Sequence, residues 1–167
     1  MRTSRHARAR RMRGFTMVEL ITVLILTGIL AAVAIPHLIN SGDNTVQVFG
    51  DQLVSGLRLA QKSAQAHRRL VCATLSARAL TLRSAASNPA QGTPLCPNTL
   101  SSAPDSDFAI TDTSVSASGA PATLYFQPNG DITSDAAGTT PFAGTITVSG
   151  ASATRAIQVA GSTGYVE

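Results

Sequence analysis

The chain has 167 residues with 13 Lys/Arg against 9 Asp/Glu, a formal net charge of +4, two cysteines and no tryptophan. That length suits one domain of ordinary size beside a membrane segment, and 44% hydrophobic residues with 13% charged exclude global disorder. Two cysteines cannot build a four-ligand zinc site, and 4% aromatics is poor in the rings on which single-stranded nucleic acid stacks.

The basic balance is local. Arg2, Arg5, Arg8, Arg10, Arg11 and Arg13 fall in the first fourteen positions, where no acid occurs; the remaining seven Lys/Arg face nine Asp/Glu, a net of −2. Residues 20–39, reading LITVLILTGILAAVAIPHLI, then carry no formal charge with His37 neutral. As a helix rising about 1.5 Å per residue this run spans a hydrocarbon core of roughly 30 Å. The arginines before it keep that flank in the cytoplasm by the positive-inside rule, so the sequence predicts a single pass with the C-terminal part exported. Glu19 sits at the edge of the run, where a carboxylate costs on the order of 2.5–3.5 kcal/mol unless it is partnered.

Arg13-Gly14-Phe15-Thr16-Met17-Val18-Glu19-Leu20, placed between a basic leader and an apolar helix, resembles the type IV prepilin family. A twin-arginine export signal around Arg10-Arg11 fits less well, because a glutamate at the head of the core is foreign to that class. The resemblance implies that a prepilin peptidase cuts after Gly14 and N-methylates the new terminus at Phe15. It also implies that the Phe15 amine pairs with Glu19 of a neighbouring subunit among packed helices, where low dielectric strengthens the attraction. The partners so implied are the peptidase, other major and minor pilins or pseudopilins, and an inner-membrane assembly platform.

After Pro36 and the Ser41-Gly42-Asp43-Asn44 punctuation, Val46, Phe49, Leu53, Leu57, Ala60 and Ala64 recur in steps of three and four. They mark one apolar helix face, with Asp51, Arg58, Lys62 and Arg68 toward solvent. The sequence predicts one long helix from Phe15 to about Ala66, bent near Pro36 and open to a break at Ser41-Gly42. The division expected is a cleaved leader (1–14), an assembly helix (15–39), its amphipathic continuation (40–69) and a periplasmic β domain (70–167).

Within that β domain, residues 70–75 and 79–83 flank Ser76-Ala77-Arg78 as a hairpin. Residues 84–121, with five prolines, read as a long loop holding one strand at 108–111. Cys72 lies on the hairpin and Cys96 in the loop. They either remain thiols or, in an oxidising compartment, form a disulfide that ties the loop to the sheet, and the disulfide is the expected state. Further strands are predicted at 122–126, 144–149, 155–159 and 163–166. Pro128-Asn129-Gly130-Asp131 is read as a turn in which Asn129 and Gly130 both tolerate positive φ. The fold class is α+β: a long N-terminal helix packed on antiparallel strands.

Leu57-Arg58-Leu59-Ala60-Gln61-Lys62, Val71-Cys72, Tyr125-Phe126-Gln127-Pro128-Asn129-Gly130, Ile157-Gln158-Val159 and Thr163-Gly164-Tyr165-Val166 occur in that order. This order resembles the GspH/FimT group of minor pilins and pseudopilins, and within it the MshC-type minor pilins of mannose-sensitive haemagglutinin pili. The resemblance implies a non-enzymatic subunit, without a cofactor, of a type IV pilus or a type II secretion pseudopilus. Some members of the group bind DNA for uptake, which makes Arg58, Lys62, Arg68 and Arg69 the candidate phosphate contacts of an alternative reading. The net negative charge outside the leader and the absence of basic residues from 161–167 speak against a nucleic-acid partner. His6, His37 and His67 are too scattered for a catalytic or metal constellation. Asp105 and Asp107 are a weak calcium pair, more simply solvated.

Overall fold

The computed structural model describes residues 15–39, 41–100 and 108–167. The chain divides into two compact units, Met1–Asn40 and Ser41–Glu167. In the first, helix α1 runs from Met17 to Ile39. Thr16 caps it: its hydroxyl accepts the Glu19 amide at 3.2 Å, while its carbonyl accepts the Leu20 amide. Glu19 occupies the first turn, where the helix dipole favours an acid. The leader, Gly14 included, lies outside the described residues.

The second unit opens with helix α2, Ser41–His67, so Ser41-Gly42 stands inside a helix rather than in a break. Continuity between α1 and α2 rests on Asn40, which lies outside the described residues. Among the described residues no helix is long and apolar enough to cross a membrane. The run 20–39 on which the single-pass expectation rests continues beyond Ala32, past which the side chains of α1 are outside the description.

Among the described residues nine strands follow: β1 (Val71–Leu75), β2 (Leu80–Ser84), β3 (Asn98–Thr99), β4 (Ser116–Ser118), β5 (Thr123–Phe126), β6 (Ile132–Thr133), β7 (Ala143–Ser149), β8 (Thr154–Ala160) and β9 (Tyr165–Val166). They form two antiparallel sheets ordered β3-β2-β1-β5-β6 and β4-β7-β8-β9. With α2 laid against both sheets, the fold is the α+β arrangement read from the sequence.

The core is built by alternation. Val71, Ala73, Leu80, Leu82, Leu124, Phe126 and Ile132 point inward from the first sheet, and Ala117, Ile146, Val148, Ile157, Val159 and Val166 from the second. All meet the α2 stripe Val46, Phe49, Leu53, Leu57, Ala60 and Ala64, buried as its spacing predicts.

Backbone bonds join the sheets at two places. The Ile132 amide donates to Gly161, the Phe142 amide to Ile132 and the Gly161 amide to Phe142, which ties edge strand β6 to the ends of β7 and β8. At the other place the β1–β2 turn, closed by Ser76 N–H to the Ala79 carbonyl, accepts the amides of Ile110 and Ala117.

Two strand expectations and one turn need correction. Residues 108–111 form no strand; Ala109 makes a single bridge to Ala79, and Phe108 serves the core by packing beside Leu80. The loop instead holds β3 and β4, whose Asn, Ser and Thr residues carry little strand signal. In the turn after β5 only Gly130 adopts positive φ, at 103°; Pro128 leads a turn closed by Gly130 N–H to the Gln127 carbonyl at 3.0 Å.

Cys72 and Cys96 form the expected disulfide. It holds part of the loop against the outer face of the first sheet, where Leu70, Cys72, Ala85 and Cys96 make a small second cluster with Leu95 and Tyr125 alongside. This cover explains why β1 is buried on both faces over its first three residues.

Candidate assembly helix and cationic surfaces

The described surface of α1 is apolar on every side: Met17, Val18, Leu20, Ile21, Leu24, Leu26, Ile29 and Leu30 are all more than half exposed. Such a surface has to be covered by lipid or by other helices. Its threonines are already satisfied within the helix. Thr22 donates to the Glu19 carbonyl at 2.9 Å, and Thr27 donates to the carbonyls of Val23 and Leu24. Thr16 is engaged as the cap. Among the described residues of α1, Glu19 is therefore the one polar side chain whose functional group has no partner in its own chain. Phe15, four positions before it, is 79% exposed.

The cap has a sequence signal in Thr16-Met17-Val18-Glu19, the S/T-x-x-E pattern of a capping box. It gives Glu19 a local place in the first turn in addition to any intermolecular one.

The four candidate phosphate contacts do not converge. Arg58 donates from Nε and Nη2 to the Val166 carbonyl at 3.1 and 2.8 Å, fastening α2 to β9. Gln61 fastens it to the β5–β6 turn through the Gly130 carbonyl, and Arg155 of β8 reaches back to the Gln47 carbonyl and to Asp51, 2.7 Å away. Lys62 shares a groove with Arg58, Leu59 and Asp51, an acid that weakens its cationic character.

Arg68 and Arg69 form the C-cap of α2. Arg68 has φ of 51°, and the amides of Arg68 and Arg69 donate to the carbonyls of Gln65 and Ala64, the paired bonds of a Schellman motif. Arg69 lies in a separate cleft of about 270 Å³ with His67, Ser63, Ser84 and Asn98. Asp105 and Asp107 lie outside the described residues, and among the described residues no group of three His, Cys, Asp or Glu is placed to hold a metal ion.

Two carboxylates are tuned by backbone amides in loops. Asp135 accepts the Thr139 and Thr140 amides at 3.0 and 2.6 Å, and these bonds, Thr139's first, draw its pKa down to about 2. Asp112 is lowered by the hydroxyl and amide of Ser114. Neither faces a catalytic partner, and both are loop-closing groups.

Residues 9–35 match the family model of the prokaryotic N-terminal methylation motif. No curated protein matches the chain. Among solved structures, the type IV minor pilin FimU of Pseudomonas aeruginosa is similar in two crystal forms. One is 15% identical over 74% of this chain and 87% of FimU, with a TM-score of 0.52. The other is 16% identical over 72% and 90%, with a TM-score of 0.49. The chain thus joins an N-terminal methylation motif to an α+β fold like that of a type IV minor pilin.

Proposed function

We propose that this chain is a non-enzymatic minor pilin or pseudopilin, a subunit that initiates or enters a type IV pilus of the MshC kind or a type II secretion pseudopilus. A prepilin peptidase cuts after Gly14 and methylates the Phe15 amine. Before assembly the protein lies in the inner membrane as a single pass, with its N-terminus cytoplasmic and its β domain periplasmic; the Cys72–Cys96 disulfide supports an oxidising compartment for that domain. The observation that carries the reading is α1 itself: an apolar helix most of which lies within the methylation-motif match, with Glu19 as the one unpartnered polar group among its described side chains. In the filament Glu19 accepts the Phe15 amine of a neighbour, and the apolar surface supplies the packing. Head-to-tail contacts of this kind do not close on themselves and so build a filament.

Intact-mass and N-terminal analysis of membrane-extracted protein from cells with an active peptidase should find methylated Phe15 as the first residue; any other terminus defeats the assignment. Glu19→Ala should abolish incorporation into sheared filaments, and unchanged incorporation removes the pairing. Gene neighbourhood separates a pilus from a secretion pseudopilus. The DNA-uptake alternative has less support, since Arg58 is committed to Val166 and Lys62 lies in a different groove from Arg69. A salt-dependent gel shift decides it.

A further inference from the structure

The cleft at the C-terminal end of α2 is used by neither the assembly helix nor the polar fastenings of α2. Its walls carry the Arg69 guanidinium and the His67 ring, and four side chains that donate neutral hydrogen bonds, Ser63, Ser84, Asn98 and Thr99. Among the described residues no acid lines it. Neither the His67 ring nor the Arg69 guanidinium has an ion-pair or hydrogen-bond partner there, whereas Arg58 and Arg155 are both committed.

The cation cluster has an ordinary partial explanation, because basic groups at a helix C-terminus are favoured by its dipole. The dipole does not account for the cleft. Nor does it account for the backbone at Arg68, where a non-glycine residue is held at positive φ next to the site. That turn directs the amides of Arg68 and Arg69 back into the helix, onto the carbonyls of Gln65 and Ala64. Two of the exposed carbonyls that would repel an anion are thereby covered, and the Arg69 side chain is delivered to the cleft.

We propose that this cleft binds one phosphate group of a small hydroxyl-bearing ligand, a sugar phosphate. Arg69 supplies the charge-assisted donors to the phosphate, and His67 adds a further donor. Ser63, Ser84, Asn98 and Thr99 meet neutral hydroxyls. A polymer backbone would need a continuing track of cations, and Arg58 and Lys62 lie in another groove beside Asp51. The volume suits one such group rather than a strand.

The test is a titration of the detergent-solubilised full chain with glucose 6-phosphate, with glucose as the uncharged control, followed by NMR of labelled histidine and arginine side chains and by calorimetry. Saturable binding that shifts the His67 and Arg69 signals, absent with glucose and weakened about tenfold or more in Arg69→Gln, is the expected result. Arg69→Lys should retain part of the affinity. Thermal unfolding of both variants at the wild-type temperature establishes that they fold. No saturable response up to about 10 mM, a cleft constant far below the charge-assisted range, overturns the proposal. So does equal binding by Arg69→Gln, or tight duplex-DNA binding without a response to the sugar phosphate.

Discussion

Replacing both Cys72 and Cys96 with alanine removes the one covalent tie between the loop after β2 and the first sheet. The bridge spans 24 positions, and in the chain-entropy model closing such a loop in the unfolded chain is worth about 3.5 kcal/mol. For a domain the size of Ser41–Glu167, 1 kcal/mol moves Tm by about 4 °C, so the double variant should melt about 12–15 °C lower. Alanine is the right replacement because both cysteines are more than nine-tenths buried, and serine would add an unsatisfied hydroxyl to the cluster. The measurement is calorimetric unfolding of the full chain in detergent, with the wild type run oxidised and reduced. Proteinase K should also cut faster within 85–97, because Leu95 and Ala90 lose their anchor on the sheet. A fall in Tm of under about 4 °C would show that the cluster around Leu70 and Tyr125 holds the loop without the bridge, and the reasoning would fail.

Gly161→Ala should destabilise the domain by about 1–3 kcal/mol in chemical denaturation, toward the upper end, because the new methyl meets the Ile132 carbonyl and the Phe142 backbone rather than a movable side chain. Arg68→Gly should stabilise it by about 0.5–1 kcal/mol, since it removes the left-handed penalty at φ 51° and gives back part of the gain as unfolded-state entropy; a loss of stability would contradict the C-cap reading. The Asp135 pKa is depressed in the folded state, so its contribution is complete above the unfolded value of about 3.9 and is lost as pH falls through about 2. Asp135→Asn should flatten the decline of stability between those limits, and an unchanged acid profile would exclude the role.

The elements most legible in the sequence were those with a period to read. The α2 stripe from Val46 to Ala64 and the alternation along β7 and β8 each have a buried face against a polar one, and burial follows it residue by residue. The short strands β3 (Asn-Thr) and β4 (Ser-Ala-Ser) are too short to show a period, and they become strands because β2 and β7 offer them open edges. Phe108 failed in the opposite sense, since an apolar residue in Phe-Ala-Ile-Thr signals burial without saying whether the backbone pairs. Of the candidate sites, Cys72 and Cys96 could be paired from compartment and loop length. Arg58 could not be recognised as a fastening of α2, because its acceptor is a backbone carbonyl 108 positions away and carbonyls have no sequence signature.

The residues of the main core all lie between Val46 and Val166, so the β strands and α2 bury one another's apolar faces within Ser41–Glu167. The described apolar side chains of α1, from Met17 to Leu30, are exposed. Covering each fully would yield on the order of 1.5–3 kcal/mol, a driving force far larger than a short helix needs to hold its own shape. With Thr22 and Thr27 bonded inside the helix, Glu19 is the one polar side chain among the described residues of α1 left without a partner, while the surrounding surface asks only for apolar cover. A neighbouring subunit that brings both an apolar helix and a free amine at Phe15 supplies the two together, which is why cleavage after Gly14 and assembly are coupled in the proposed function.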